Sequence, residues 1–399
     1  MKANALVAQT GGPTSVINAS LAGIIAQSRA ESRIGKIYGC HWGMLGLLEE
    51  WLVDLGREPR QTLAALKHTP SSALGSSRRK LTAEDMPRVL EVLKKYHIRY
   101  FFGIGGNDTM LNVHQVEQYC RQNGYELYGM GCPKTVDNDL YGTDHTPGFP
   151  SAARYVALSV LQAGILARDM QKVDQFVIYQ TIGRDAGWLA AAAFAAKRDE
   201  ADPPHLILMP EVRFNADRFF AAFESAYRKY GYVSIICGEG IVHEDGTPVS
   251  ASQVKDGFSN IEFGAMGGTS AAMMLHRMLT NQFKFRGEFQ VPESLAMSAA
   301  DRAVRHDVQE AYRLGVNAVR RAARGQSGLM TTLVRRPGTV YRIGTGTISL
   351  ADVAAKTKPV PAEFISADGF TMTEEFHRYI DPLVGPLPAY ARLRFHPAS

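Results

Sequence analysis

Short apolar runs alternate with amphipathic stretches from one end of this chain to the other, and that alternation restricts its fold more than any other feature. Residues 5–9, 37–40, 100–104, 127–132, 175–180, 205–209 and 233–237 read as strands. Residues 16–29, 83–96, 108–123, 154–170 and 216–230 carry helical spacing between them. Strand then helix, repeated, predicts a parallel, doubly wound α/β sheet rather than a barrel of hairpins. With 399 residues, 45% of them hydrophobic, the chain can bury two cores, so two doubly wound, Rossmann-like domains with mainly parallel sheets are expected. Turn formers at residues 142–150 mark the crossing between them, and helical patterns near 267–279 and 307–321 have the chain cross back.

Charge and composition narrow the function classes. The net charge of +5, from 44 basic and 39 acidic side chains, is small for this length, and no dense Lys/Arg run stands out. That argues against nucleic acid or a membrane surface as partner and suits small anionic substrates. The longest apolar stretch, residues 188–196, falls far short of the roughly 20 residues a membrane span needs. The N-terminus runs into a strand without a charged-then-apolar signal pattern. Cys40, Cys120, Cys132 and Cys237 lack metal-ligand spacing, so free thiols in a reducing, cytoplasmic setting are expected. His97, His145, His243 and His306 have no metal-like spacing either.

The chemistry gathers just after strands. Gly105-Gly106-Asn107-Asp108-Thr109 and Pro133-Lys134-Thr135-Val136-Asp137-Asn138-Asp139 end two successive strands, where ligands bind in an open α/β sheet. Glycines let a phosphate approach the backbone, a lysine neutralises it, and an aspartate takes a proton from an attacking hydroxyl. Asp137 and Asp139, at i and i+2, also suit a turn or a helix cap. Lys134 directly before them tips the reading toward function, because clustered charge at a strand end is costly unless it meets ligand charge. Gly11-Gly12-Pro13-Thr14-Ser15 opens a helix after the first strand and reads equally as an anion site or an ordinary glycine turn. In Gly75-Ser76-Ser77-Arg78-Arg79-Lys80 the cations are either a solvated loop surface or stabilisers of a transferring phosphoryl group.

Together these residues resemble the phosphofructokinase family, and within it the pyrophosphate-dependent branch. The likeness runs nearly end to end, through Gly11-Gly12, Asn18, residues 75–78, the two strand-end motifs, Gly183-Arg184, Pro210-Glu211 and residues 379–392. The resemblance implies a phosphoryl-donor domain of residues 1–150 plus about 291–345, and a sugar-phosphate domain of 151–290 plus about 346–399. It implies Mg²⁺-dependent, reversible transfer from pyrophosphate to fructose 6-phosphate, giving the 1,6-bisphosphate. Asp137 is then the base, with Arg78, Lys134 and Gly11 about the transferring group. Gly12, Gly106, Asn107, Asp108 and Lys134 hold the donor, and Asp108 and Asp139 the metal. Thr135, Asp139, Ile182, Gly183, Arg184, Glu211, Arg286 and Tyr379 hold the acceptor. A homodimer or higher homo-oligomer is implied too, with Arg286 serving a neighbour's pocket.

ATP-using relatives typically carry glycine at the positions of Asp108 and Lys134. A carboxylate beside an incoming α-phosphate, in a partly desolvated cleft, repels a nucleotide, while Lys134 reaches the end of a shorter donor. Two positions and one segment depart from the family's usual pattern. Asn107 stands where ATP-using relatives have a metal-binding aspartate. Asp185 replaces a common histidine. Ser294-Leu295-Ala296-Met297 occupies the place of a Tyr-x-Gln-Arg-like stretch that grips the sugar's phosphate. Losing one charged hydrogen bond to a phosphate costs about 1.5–3 kcal/mol. The departures keep two alternatives open: the same chemistry on another sugar, sugar phosphate or polyol, or a catalytically silent regulatory subunit.

Overall fold

Alternate residues of the central strands feed two separate cores. In β1 (Ala3–Gln9), Ala5 and Val7 join one apolar cluster while Leu6 and Ala8 join another. The computed structural model describes residues 2–77, 79–250, 268–338, 340–391 and 393. The remaining strands are β2 (Ile34–Cys40), β3 (Leu52–Asp54), β4 (Ile98–Gly105), β5 (Tyr128–Pro133), β6 (Phe176–Thr181), β7 (Leu206–Leu208), β8 (Val233–Gly238), β9 (Gly287–Gln290), β10 (Leu329–Arg335) and β11 (Ile343–Ser349). β4 splits as β1 does, Phe101 to one side and Tyr100, Phe102 and Ile104 to the other. Each fully buried phenylalanine here contributes about 1.5–3 kcal/mol. Helices Asn107–Gln122 and Met86–Lys95 cover one face, and Ile17–Ala30 and Arg305–Ala323 the other. That two-sided cover is the doubly wound arrangement expected.

The larger sheet has the order β11-β10-β5-β4-β1-β2-β3, the smaller β7-β8-β6-β9. The smaller is parallel throughout, and the larger turns antiparallel only at its edge pairs, β2–β3 and β10–β11. Of the two edge hairpins, the sequence pattern marks only β2, at residues 37–40; β3, β10 and β11 carry no such signal. β11 alternates glycine and threonine, with every residue only partly buried, and β9 is short and polar. β11 runs on to Ser349 and helix Leu350–Ala355 packs on Asn107–Gln122, so the chain stays with the larger sheet past residue 345.

Register places the motifs. Gln9 pairs with Ile104 and Gly105 with Pro133, so the turns after β1, β4 and β5 lie side by side at one sheet edge. Thr181 pairs with Gly238, which sets the turns after β6 and β8 together in the smaller sheet. All four cysteines are buried and unpaired. Among the described residues no helix is long and apolar enough to cross a membrane.

Candidate active site

The loop after β1 is braced from below by two buried amides, Gln9 and Asn18. Gln9 Nε2 donates to Asn18 Oδ1 (2.9 Å), while Leu74 N–H reaches Gln9 Oε1 and Ala73 N–H reaches Asn18 Oδ1, both at 3.0 Å. Ser76 Oγ donates to the Gly11 carbonyl. Gly11 has φ +77°, a left-handed conformation that glycine adopts without strain. Helices Ile17–Ala30 and Asn107–Gln122 begin at this edge, each bringing the unsatisfied N–H groups and partial positive charge of a helix N-terminus. Lys134, only 2% exposed, sends its ammonium to the Gly12 carbonyl, and its nitrogen lies 3.4 Å from where a Cβ on Gly11 would sit. Burial pushes its pKa down to about 8, against the pull of Asp137 and Asp139. A buried cation between two helix N-termini is a site for a compact polyanion.

The carboxylates follow on a tight turn. Asp137 N–H donates to Thr135 Oγ1 (3.1 Å), Thr146 Oγ1 donates to the Thr135 carbonyl (2.7 Å), and Asn138 takes a left-handed φ of +55°. Burial raises the Asp137 pKa, as do the charges of Asp139, Glu239 and Asp185, with Lys134 opposing. Asp139 is raised as well, by burial first, and its Oδ2 accepts from Asn107 Nδ2 at 2.9 Å. Asn107 Oδ1 is buried with no hydrogen-bond partner. An unpaired carbonyl oxygen beside a carboxylate is a hard-oxygen pair of the kind magnesium takes when phosphates supply its other ligands.

The turn after β6 faces this edge. Gly183, at φ +122°, donates its N–H to Glu239 Oε1 (3.3 Å), and Glu239 extends directly from β8. Burial lifts the Glu239 carboxyl to about 7, with Arg184 pulling it down and Glu293 and Asp185 pushing it up. Glu239 therefore sits in the field of one cation, Arg184, and two further carboxylates, Glu293 and Asp185. Glu239 went unnoticed in the sequence, where its only signal is an acidic residue directly after a largely apolar strand.

Beneath the carboxylate turn runs a buried polar chain. His145 is fully buried, with Nδ1 2.8 Å from Asp144 Oδ2 and Nε2 2.9 Å from Glu310 Oε2. Arg335 grips both Asp144 oxygens, at 3.0 Å each, and Tyr341 donates to Glu310 (2.8 Å). Hydrogen bonds to the two carboxylates raise the His145 pKa against burial, and His145 in turn holds Asp144 and Glu310 low. A raised imidazole contributes stability that is complete below about pH 6.5 and is lost as pH climbs through its folded value. The depressed carboxylates contribute stability present above their unfolded values and lost as pH falls. We expect His145→Gln to lower the unfolding free energy by about 3 kcal/mol, because it leaves buried Glu310 without its cationic partner, whereas Asp144 keeps Arg335. Urea denaturation at neutral pH measures it, and an unchanged midpoint would mean the imidazole carries no charge in the fold.

Several expected residues take other places. Asp108 lies in the first turn of its helix, with a 63% exposed side chain already paired to Lys80 at 3.1 Å. A solvated, paired carboxylate repels far less than one in a desolvated cleft. Glu211 spends its carboxylate on the Gly187 N–H (3.0 and 3.1 Å) and the Val360 N–H (2.9 Å), tying down the acceptor turn. Tyr379 OH accepts from Asn138 Nδ2 and donates to the Asp144 carbonyl, both 3.0 Å, so it buttresses the turn from behind. Arg286 precedes β9, which runs parallel to β6, so it lies at the opposite end of the smaller sheet from Gly183 and pairs with Asp174 at 2.8 Å. Ile182 sits partly buried beside Gly183, and Gly106 caps the helix that begins at Asn107. Met297 reaches over the donor loop, its Cε 2.5 Å from where a Cβ on Gly12 would lie. Arg78 lies outside the described residues.

Comparison with known proteins points to one family. A family model described as phosphofructokinase matches residues 4–322. A pyrophosphate–fructose 6-phosphate 1-phosphotransferase of Halomonas elongata is 38% identical over 409 residues, covering 98% of this chain and 96% of the relative. The Methylococcus capsulatus protein of the same name is 38% identical over 406 residues, with the same coverage. The crystal structure of a pyrophosphate-dependent phosphofructokinase from Marinobacter aquaeolei superposes with a TM-score of 0.87 at 35% identity, covering 98% of this chain and 94% of that one.

Proposed function

The chain belongs to the phosphofructokinase family, in its pyrophosphate-dependent branch, and on that premise we propose that it moves a phosphoryl group from pyrophosphate to fructose 6-phosphate, reversibly and with Mg²⁺. The observation that carries the reading is the meeting, at one sheet edge, of two helix N-termini, buried Lys134 and the Asp137–Asp139 turn. In this reading the larger sheet is the donor domain and the smaller sheet the acceptor domain. Lys134 and the backbone at Gly11, Gly12 and Gly106 hold the pyrophosphate. Asp137, raised toward neutrality by burial, accepts the proton of the attacking hydroxyl. Arg184 and the Gly183 backbone orient the acceptor, and Thr135 sets the geometry of the base turn. Asp139 and Asn107 Oδ1 would hold the magnesium, a fit the unpartnered amide oxygen supports better than it does Asp108. When bound, the ion would neutralise charge on the phosphate oxygens. The proposed assembly is a homo-oligomer, in which Arg286 would have to leave Asp174 to serve a neighbour.

A second acceptor reading rests on two observations. Ala296 and Met297 pack into an apolar cluster where the resemblance implies a phosphate-gripping arginine, and Asp185 and Glu293 add negative charge about Glu239, with Arg184 as the opposing cation. Excess negative charge opposes a dianionic sugar phosphate and tolerates a neutral polyol or sugar. The test is phosphorus NMR of pyrophosphate with fructose 6-phosphate and a panel of unphosphorylated sugars and polyols, with and without chelator. We expect fructose 1,6-bisphosphate and orthophosphate to form, and chelation to abolish both. Turnover confined to an unphosphorylated acceptor would favour the second reading, and none with any acceptor would leave a silent subunit.

A further inference from the structure

Lys358 arrives at the carboxylate turn from far along the chain, and every polar atom it owns is spent there. Its segment pairs with the turn as an antiparallel bridge between Thr357 and Leu140, and its N–H donates to the Asp139 carbonyl at 2.8 Å. Its carbonyl accepts from Trp188 Nε1 at 2.9 Å, and its ammonium lies 5.0 Å from the centre of that ring. Trp188 opens the helix that follows the Gly183–Arg184 turn. The ammonium's three protons go to Asn138 Oδ1 (3.2 Å), the Thr143 carbonyl (3.1 Å) and the Asp144 carbonyl (2.9 Å). Among the described residues it forms no ion pair within 4 Å.

We propose that Lys358 is a positioning residue: its ammonium clamps Asn138 and the carbonyls of Thr143 and Asp144, and so fixes Asp137 and Asp139 against the acceptor turn. Three converging acceptors call for a side chain with three donors and no acceptor, which only lysine supplies from a compact head. Asn138 is the link. Its left-handed backbone stands between the two aspartates, its Oδ1 also takes Thr146 N–H, and its Nδ2 is held by Tyr379. Without the ammonium, Asn138 Oδ1 and the Asp144 carbonyl each keep another donor, Thr146 N–H and Tyr379 OH. The fold should therefore survive while the turn gains freedom, and a group transfer that depends on alignment is sensitive to shifts on the order of 1 Å.

The inference builds on the proposed phosphotransferase reading, and the test separates the two. In Lys358→Met, which keeps the volume without the charge, kcat should fall about 30- to 100-fold while KM for pyrophosphate stays within about threefold. Hydrogen exchange at the amides of residues 135–146 should quicken about tenfold or more, with the β1 and β4 amides unchanged. In Lys358→Ala, ethylammonium should restore part of the lost kcat saturably, and tetramethylammonium should not. Wild-type kcat with unchanged exchange in Lys358→Met would overturn the proposal. So would a global loss of protection, which would make Lys358 a general stabiliser. Should the wild-type protein turn over no acceptor, the proposed reaction fails while the exchange measurement still judges the clamp.

Discussion

Asp137→Asn is expected to lower kcat by about 10³-fold, leaving KM for pyrophosphate within about threefold. Asparagine fills the same volume, and its backbone N–H can still donate to Thr135 Oγ1, so the turn keeps its shape. What it cannot do is take a proton. Burial and the nearby charges of Asp139, Glu239 and Asp185 hold the Asp137 carboxyl above its ordinary range, so the free carboxylate is a stronger base than an exposed aspartate. The raised value also fixes the sign of the pH dependence. Activity requires the deprotonated form, so kcat should fall as pH drops through that raised value, well above the usual 3.8 of aspartate. Asp137→Asn should abolish that acid limb in whatever activity remains. It should not lower the thermal midpoint, because it removes a carboxylate that Asp139 repels. Steady-state kinetics across pH 5 to 9 on folded, purified variant decides it, and retention of more than about a tenth of wild-type kcat would remove Asp137 as the base.

How far the sequence disclosed this site follows from which contacts are local. β1, β4 and β5 are largely apolar and run into turn-forming residues (Gly11-Gly12, Gly105-Gly106 and Pro133), so the strands and the turns they deliver were readable as patterns. β9 and β11 were not, since one is short and polar and the other carries no hydrophobic alternation. Within the site, Lys134, Asp137 and Asp139 announce themselves because they lie together in the chain. Their supports do not. Lys358, Tyr379, Arg335 and Glu310 come from residues more than 150 positions away, and no spacing rule marks a residue whose partners are backbone carbonyls. Asp108 was misplaced for a related reason. Its neighbours in sequence put it at the strand end, but one residue of helical rotation beyond Asn107 swings it toward Lys80 and solvent.

That displacement redistributes the donor selectivity, which is the second large effect expected: kcat/KM with pyrophosphate at least about 10³-fold above that with ATP. An exposed pair such as Lys80–Asp108, with side chains 53% and 63% exposed, is worth about 0–1 kcal/mol and is screened by salt. It cannot supply the roughly 4 kcal/mol that a thousandfold preference requires. Lys134 can. It is buried, its ammonium is fastened to the Gly12 carbonyl, and it fills the floor of the site next to Gly11. A nucleotide needing that volume must displace a buried cation from its hydrogen bond, whereas a pyrophosphate can bind against it. The two residues should therefore contribute unequally. Asp108→Gly alone should leave the preference for pyrophosphate within about fivefold of wild type, and that residual effect should shrink as salt rises. Lys134→Gly alone should cost pyrophosphate turnover about a hundredfold, from loss of a charged contact to the phosphate, and should narrow the gap between the donors more than Asp108→Gly does. Initial rates with each donor at 50 and 300 mM salt provide the comparison. Wild-type turnover with ATP approaching that with pyrophosphate would defeat the selectivity argument outright, and a larger effect from Asp108→Gly would return the discrimination to the carboxylate.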